Sequence, residues 1–150
     1  MHAVIQRATP SDLTILAPLF DQYRQFYEYP PDLSLATRFL AERLERGESA
    51  IFLARNTPAG TALGFTQLYA SFCSTAAVPL LILYDLFVVP EARGRGVGRG
   101  LMERAHAFGR AQGFKRVMLQ TAHSNTTAQA LYESMGYRLD AGFRVYELPL

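Results

Sequence analysis

The residues best suited to chemistry lie in a run of alternating arginine and glycine, Arg93–Gly100. This run follows an apolar strand pattern and precedes an amphipathic helix pattern, so it falls at a helix N-terminus. Backbone N–H groups there lack intrahelical acceptors and lie at the positive end of the helix dipole. Glycines let the backbone approach a ligand closely, and arginine side chains donate to phosphate oxygens. The run therefore predicts a site for a phosphorylated ligand; the alternative is a flexible, solvated loop.

The spacing of the run excludes two common phosphate-binding motifs. No Gly-Lys-Ser/Thr follows it, so it is not a Walker motif. No acidic residue follows on a second strand at the distance that a dinucleotide fingerprint needs. The net charge of the chain is only +2, yet five arginines cluster between positions 93 and 110. A local cluster on a nearly neutral protein favours one bounded anion over a nucleic acid.

Hydrophobic periodicity predicts the elements that position this run. Strands are predicted over residues 3–9, 50–54, 62–69, 80–89, 116–122, 137–139 and 143–148. One helix begins after Ser11 or Asp12, with a kink or restart at Pro18, and a second ends at Gly47. A third opens at the glycine run and closes at Gly113, and a fourth covers about 125–135. This order predicts a single α/β (α+β) domain over residues 1–150. Its one mixed, largely antiparallel sheet has about seven strands, with helices on both faces.

Composition limits the classes of protein to consider. The chain has 150 residues, the usual size of one domain, and its apolar and charged fractions are those of a globular protein. Its single cysteine, Cys73, excludes an intrachain disulfide and favours a reducing, cytoplasmic location. Three scattered histidines predict no metal site. No stretch reaches the roughly 18 apolar residues of a membrane span, and the N-terminus does not read as a signal peptide.

Two motifs together resemble one known family. Arg93-x-x-Gly96-x-Gly98, after a strand that ends at Pro90, resembles the cofactor-binding motif of the GNAT superfamily of acetyl-CoA-dependent N-acetyltransferases. A second block, running from Asn125 through Leu131-Tyr132-Glu133 to Tyr137, resembles the same superfamily. The predicted order of elements is also that of the superfamily, so the resemblance spans the chain. It implies the GNAT fold and acetyl-CoA as co-substrate, with no metal.

The resemblance implies where acetyl-CoA binds. The backbone of Leu86, Phe87 and Val88 is expected to pair with the pantetheine arm like an added strand. The backbone N–H groups of the run are expected to hold the pyrophosphate. These are the groups of Arg93, Gly94, Arg95, Gly96, Val97 and Gly98. Asn125 is expected to reach the pantetheine arm, and Tyr132 to face the cofactor sulfur.

The chemistry implied is attack of an amine on a thioester in a ternary complex. Most amines have a pKa near 10, so only about one in a thousand is neutral at pH 7 and a base or water chain must take a proton. Asp85, the only charge in the most apolar strand, is a base or amine anchor with a raised pKa; the alternative is a structural carboxylate at a bulge. Tyr132 is the candidate acid for the leaving thiolate; the alternative is core packing. The oxyanion donor is expected near Phe87 or Val88.

The acceptor is not readable from the motifs. By resemblance, Tyr27, Glu28 and Tyr29 lie where the family builds its acceptor site, with the alternative of an ordinary helix end, and Tyr69 and Asp85 complete the set. A small primary amine such as an amino acid or polyamine is favoured. A protein or histone acetyltransferase and a non-catalytic CoA-binding sensor remain as alternatives. The alternating segment 143–148 at a sheet edge predicts a homodimer. No nucleic-acid or membrane partner is expected.

Overall fold

A computed structural model of the protein describes residues 2–150. The chain divides into two compact units, Met1–Leu119 and Gln120–Leu150. The elements of the first unit are β1 Val4–Arg7, α1 Leu13–Phe26, α2 Leu33–Glu45, β2 Ser49–Arg55, β3 Ala62–Cys73, β4 Val78–Val88, α3 Val97–Ala111 and β5 Arg116–Met118. The second unit contains α4, Thr126–Ser134.

The strands form one mostly antiparallel sheet in the order β1-β2-β3-β4-β5. The first four strands are antiparallel neighbours. Strand β5 pairs with β4 in parallel, over a short stretch from Leu80 opposite Arg116 to Ile82 opposite Met118. Because a parallel neighbour needs a crossover, α3 connects the two strands.

Helices cover both faces of the sheet in the first unit. Alternate side chains of β2 point to opposite faces. Ile51 and Leu53 belong to the buried cluster that includes residues of α1 and α2. Phe52 points the other way, and its ring lies 5.6 Å from that of Phe108 on α3. This confirms the predicted mixed α/β architecture.

A β-bulge interrupts the pairing of β3 with β4. Gln67 lies opposite Asp85, whereas the next residue, Leu68, lies opposite Leu83, so Tyr84 is an extra residue on β4. A bulge re-aims the side chains beside it. The ring of Tyr84 contacts that of Tyr69, two residues beyond Gln67 on β3, with centroids 5.6 Å apart. The bulge thus places Tyr84 and Asp85 toward the same face, that of α1.

The prediction of about seven strands is wrong, because five form among residues 2–150. Strand β5 ends at Met118 instead of residue 122, and neither 137–139 nor 143–148 is a strand. Alternation encodes only a local preference, whereas a strand needs a partner edge. Apolar side chains of the C-terminal segment are consequently exposed, among them Leu139, Phe143, Tyr146 and Leu148.

Two other local predictions needed correction. Strand β3 continues to Cys73, beyond its predicted end at residue 69. Helix α1 runs through Pro18 without a restart. Pro18 removes the donor that would bond the Thr14 carbonyl, but both residues are exposed, so solvent replaces the lost bond. Across residues 2–150, each helix is too short or too polar to cross a bilayer.

Candidate active site

Asp85 is a carboxylate buried inside the sheet. Its exposure is only 3%, and its side chain lies on the α1 face beside the bulge. The hydroxyl of Thr66 donates to the Asp85 backbone carbonyl at 2.8 Å, which pins the backbone at this position. Burial raises the pKa of Asp85 to about 6, and hydrogen bonds from Gln67 and Tyr23 partly offset that rise. Asp85 is therefore a carboxylate whose pKa lies closer to neutral pH than that of an exposed aspartate.

Within residues 2–150, no positively charged side chain forms an ion pair with this carboxylate. The ion pairs among residues 2–150 join surface or half-buried groups, and Asp85 takes part in none of them. Buried charges in proteins are normally paired or bound to metal, since desolvation of a lone charge is costly. Within the same residues, no group of three His, Cys, Asp or Glu side chains is placed to bind a metal ion. Asp85 is thus suited to bind a cation that comes from outside the chain.

Tyrosines surround Asp85 on the α1 face. The Tyr23 hydroxyl donates to the Tyr84 carbonyl at 3.2 Å and also hydrogen-bonds Asp85. Burial, and next the charge of Asp85, raise the pKa of Tyr69 far above its usual value, so Tyr69 stays neutral. Tyr84 is 62% exposed, which makes it the member of the group that meets solvent. The carboxylate therefore lies among neutral rings that favour an organic cation.

The residues expected at the acceptor end lie where α1 ends. Tyr27 packs its ring 5.2 Å from Tyr23, which links it to the Asp85 cluster. Glu28 has a positive φ of 65°. The N–H groups of Glu28 and Tyr29 donate to the carbonyls of Gln25 and Arg24, as in a Schellman motif. Helix termination accounts for the strained Glu28 backbone, and Tyr29 lies under the guanidinium of Arg24.

Strand β4 loses its neighbour on one side beyond the bulge. The ladder with β5 ends at Ile82, so Leu83–Val88 pair with β3 but have no ladder partner on the other edge within residues 2–150. An unpaired edge offers backbone donors and acceptors to an extended ligand. Leu86, Phe87 and Val88 all lie on this stretch, as the binding of a pantetheine arm requires.

The glycine run forms the start of α3 as predicted. Gly94 and Gly96 have φ values of 70° and 80°, which only glycine adopts without strain. The first intrahelical bond runs from the Gly100 N–H to the Gly96 carbonyl, so the N–H groups of Val97 and Gly98 are directed out of the helix end. Arg95 is exposed beside them. This is the geometry of an anion site at a helix start.

Arg93 has a different place from that expected. Its backbone N–H donates to the Pro90 carbonyl at 3.3 Å, and its Nε donates to the Val88 carbonyl at 2.9 Å. The guanidinium also stacks on the rings of Phe26 and Phe87, at 5.7 and 5.8 Å from their centroids. Arg93 therefore ties the end of β4 to the end of α1. This role could not be predicted from the sequence, because Arg93 and Arg95 belong to the same arginine–glycine run and differ only in their contacts in the structure.

The second unit contains the other predicted residues. Asn125 is the N-cap of α4, and its side-chain oxygen accepts from the Ala128 N–H at 3.4 Å. Tyr132 is buried on α4, with its ring 6.0 Å from that of Tyr137. Burial, and next Tyr132, raise the pKa of Tyr137. The block that resembles the superfamily is thus a capped helix with a tyrosine pair.

The comparisons with known proteins identify the family. The acetyltransferase (GNAT) family matches residues 16–137. The chain belongs to the acetyltransferase (GNAT) family. It is similar to the uncharacterized N-acetyltransferase YhfO of Bacillus subtilis, with 46% identity over 95% of this chain and 94% of the relative. It is also similar to the D-amino-acid N-acetyltransferase HPA3 of Saccharomyces cerevisiae, with 29% identity over 91% and 86%.

A solved structure agrees with this assignment. The crystal structure of a probable acetyltransferase matches with a TM-score of 0.90 and 39% identity, over 98% of this chain and 97% of that one. The predicted family and its N-acetyltransferase activity are confirmed, and the protein is an acyltransferase enzyme. The GNAT family uses acetyl-CoA as co-substrate. A non-catalytic sensor is therefore not the interpretation that the comparisons favour.

Proposed function

We propose that this GNAT enzyme transfers an acetyl group from acetyl-CoA to a primary amine of a small molecule, by direct attack in a ternary complex. The observation that carries the proposal is Asp85, a carboxylate at 3% exposure with no cationic partner among residues 2–150. An acceptor amine arrives as an ammonium ion and supplies the missing positive charge. Asp85 is the amine anchor and base in this proposal.

Mutual desolvation makes the proton transfer feasible. In water an amine of pKa near 10 and a carboxyl near 4 favour the ion pair strongly. Burial raises the pKa of Asp85 to about 6, and the same apolar surroundings lower the pKa of a bound amine. The two values approach each other, so Asp85 can take the proton that keeps the amine from attacking.

The residues at the donor end fit acetyl-CoA. The unpaired edge of Leu86, Phe87 and Val88 is suited to the amides of the pantetheine arm. For the pyrophosphate we propose the N–H groups of Gly94–Gly98, with Arg95 adding charge. Arg93, whose backbone N–H and Nε already donate to carbonyls of the protein, holds the loop in place.

In the second unit we propose two further roles. Tyr132 is the acid that protonates the leaving thiolate, which needs a hydroxyl near its ordinary pKa beside the sulfur. Asn125 donates from its side-chain amide to the pantetheine arm while its oxygen caps α4. These two roles follow from the motif that the chain shares with its family.

A small acceptor agrees with the aromatic surroundings of Asp85. Tyr69, Tyr84 and, through Tyr23, Tyr27 line the approach, and their rings suit a compact cation with an apolar body. Glu28 and Tyr29 complete the proposed acceptor side at the end of α1. The name of the yeast relative, a D-amino-acid N-acetyltransferase, is that of an enzyme for a small amine.

We also propose that the protein is a homodimer. The C-terminal segment 143–148 is exposed throughout, and its large apolar side chains include Phe143 at 83% and Leu148 at 80% exposure. A segment with strand-like alternation and no partner edge invites pairing with a second copy. Sedimentation at micromolar concentration would show a dimer. A Phe143→Ser, Leu148→Ser variant would be monomeric if this segment forms the interface. A cytoplasmic location stays a prediction.

The test is thiol release from acetyl-CoA over a panel of amines, with binding of CoA measured by calorimetry. The panel holds amino acids, polyamines, amino sugars and lysine peptides. We expect turnover of a free small amine, and a loss of roughly 100-fold or more in kcat/KM for Asp85→Asn with CoA binding unchanged. Turnover of peptides alone would overturn the small-molecule acceptor, and full activity of Asp85→Asn would overturn the role of Asp85.

A further inference from the structure

A chain of three buried polar side chains crosses the sheet and ends at Asp85. The Ser49 hydroxyl on β2 donates to Gln67 Oε1 on β3 at 2.9 Å. Gln67 Nε2 in turn donates to Asp85 Oδ2 on β4 at 2.5 Å. All three are buried, with exposures of 8%, 0% and 3%. Interior polar groups are expensive unless they are bonded, so such a chain in the core of a small enzyme calls for a reason.

The donors in this chain all point the same way. A primary amide has a donating end and an accepting end, and a half-turn about its last bond exchanges them. The hydroxyl of Ser49 occupies the oxygen end, which leaves the NH₂ end facing Asp85. An NH₂ group bonds an ionised carboxylate and has no acceptor for a carboxylic acid proton. The arrangement therefore favours one charge state of Asp85.

We propose that Ser49 and Gln67 are positioning residues that hold Asp85 in its ionised, amine-binding form. Gln67 supplies the donor that stabilises the carboxylate in an apolar setting, and the Ser49 hydroxyl bonds the oxygen end of the same amide, which holds the Gln67 side chain in place. This inference rests on the proposed role of Asp85 as anchor and base. The proposal adds Ser49 of β2 and Gln67 of β3 to the site, and both act through Asp85 without touching the amine.

Other titratable groups near Asp85 favour its charged form less than Gln67 does, or act on Tyr69 instead. Tyr23 from α1 also hydrogen-bonds the carboxylate, and Tyr69 and Tyr84 face it from β3 and β4. Arg43 of α2 and Glu48 before β2 act on Tyr69 and form an ion pair with each other at 2.6 Å. Their charges largely offset one another. The hydrogen bond from Gln67 is thus the strongest interaction that favours the charged form of Asp85.

Two variants separate the roles of Gln67 and Ser49. Gln67→Met keeps the length of the side chain and removes the donor, so the pKa of Asp85 should rise by about one to two pH units. Ser49→Ala removes the hydrogen bond that holds the Gln67 amide oxygen, which loosens the side chain, so a smaller rise in the pKa of Asp85 of about half a unit is expected. Ser49→Thr retains the hydroxyl, so the pKa of Asp85 should stay at its wild-type value. Ser74→Ala removes a hydroxyl in the exposed β3–β4 turn, away from the hydrogen-bonded side chains Ser49, Gln67 and Asp85, and is the matched control.

The measurement is direct titration of the Asp85 carboxyl by carbon-13 NMR, assigned by its absence in Asp85→Asn. The chain has five aspartates, so the spectrum is simple. The acid limb of kcat/KM is measured beside it for the small amine that turns over. We expect both to move upward together in Gln67→Met and Ser49→Ala, and to stay in place in Ser49→Thr and Ser74→Ala.

The two readouts separate the two proposals. An unmoved Asp85 titration in folded Ser49→Ala and Gln67→Met would overturn the positioning role, whatever the activity. A titration that moves while the acid limb stays would support the positioning of the charge and overturn Asp85 as the base. Ser49→Ala removes a single oxygen, so it keeps the test available if Gln67→Met does not fold.

Discussion

Replacing Asp85 by asparagine should make the protein more stable at neutral pH. Folding raises the pKa of this carboxyl from 3.8 to about 6, because burial disfavours its charge. A folded state that binds the proton more tightly than the unfolded chain loses stability as pH rises between the two values. The charged Asp85 therefore opposes folding at pH 7, and a neutral isostere removes that opposition.

The size of the effect follows from linkage. A rise from 3.8 to about 6 corresponds to about 3 kcal/mol of destabilisation at pH 7, to about half of that at pH 5 and to a small fraction of it at pH 4. Asparagine still accepts from Gln67, so the packing changes little. The free energy of unfolding of Asp85→Asn should exceed that of the wild type by about these amounts. For a domain of this length each kcal/mol shifts the melting temperature by roughly 2–4 °C.

Urea unfolding of both proteins at pH 4, 5 and 7 measures the difference. Asp32→Asn is the control, because Asp32 is exposed and caps α2 through an oxygen that asparagine retains. The reasoning is refuted if Asp85→Asn is less stable than the wild type at pH 7, or if the difference is the same at pH 4 and 7. A gain in stability with a loss of activity would mark a carboxylate kept for function at a cost in stability.

Three further predictions concern the donor end and the sheet. Tyr132→Phe should lower kcat by about 10²-fold with little change in the KM for acetyl-CoA, and steady-state kinetics would contradict the acid role if kcat were unchanged. Arg95→Met should raise the KM for acetyl-CoA without lowering the melting temperature. Arg93→Met should instead destabilise the fold by about 1–2 kcal/mol, because it loses a hydrogen bond and two ring contacts. Thermal melts of the two variants distinguish these outcomes. Gly64→Ala would place a Cβ 2.3 Å from the Phe87 carbonyl, so unfolding should show a loss of at least about 2 kcal/mol, and equal stability would refute the close approach.

The proposed donor end of the site was predictable because its signals are local. A strand, a glycine-rich turn and a helix follow one another within a short stretch, and the structure places the helix start at Gly96 as the motif indicates. The apolar run with one acid likewise predicted Asp85 inside a central strand. The backbone conformation of such a turn and the burial of such a strand depend on residues that are close in sequence, so the sequence pattern predicts them.

The polar chain behind Asp85 was missed because it depends on strand register. Ser49, Gln67 and Asp85 lie on three strands, and their contact needs the bulge as well as the pairing of β2 with β3. One signal was available, since Gln67 is a long polar side chain inside a mostly apolar strand. The two strands predicted over 137–139 and 143–148 were wrong for a related reason. Alternation favours a strand, but a ladder partner is not encoded in the segment itself.

The contrast between local and non-local contacts also bears on the specificity for donor and acceptor. Members of the GNAT family share the donor, and the proposed anion site at α3 needs only glycines, a helix end and an arginine to hold it. The proposed acceptor side is different, because it is assembled from α1, β2, β3 and β4 around a carboxylate with no cationic partner among residues 2–150. If the acceptor's ammonium supplies that cation, affinity for the acceptor includes relief of the cost of a buried charge. Selectivity among amines should then follow how completely each one fills the space between Asp85 and the tyrosines around it.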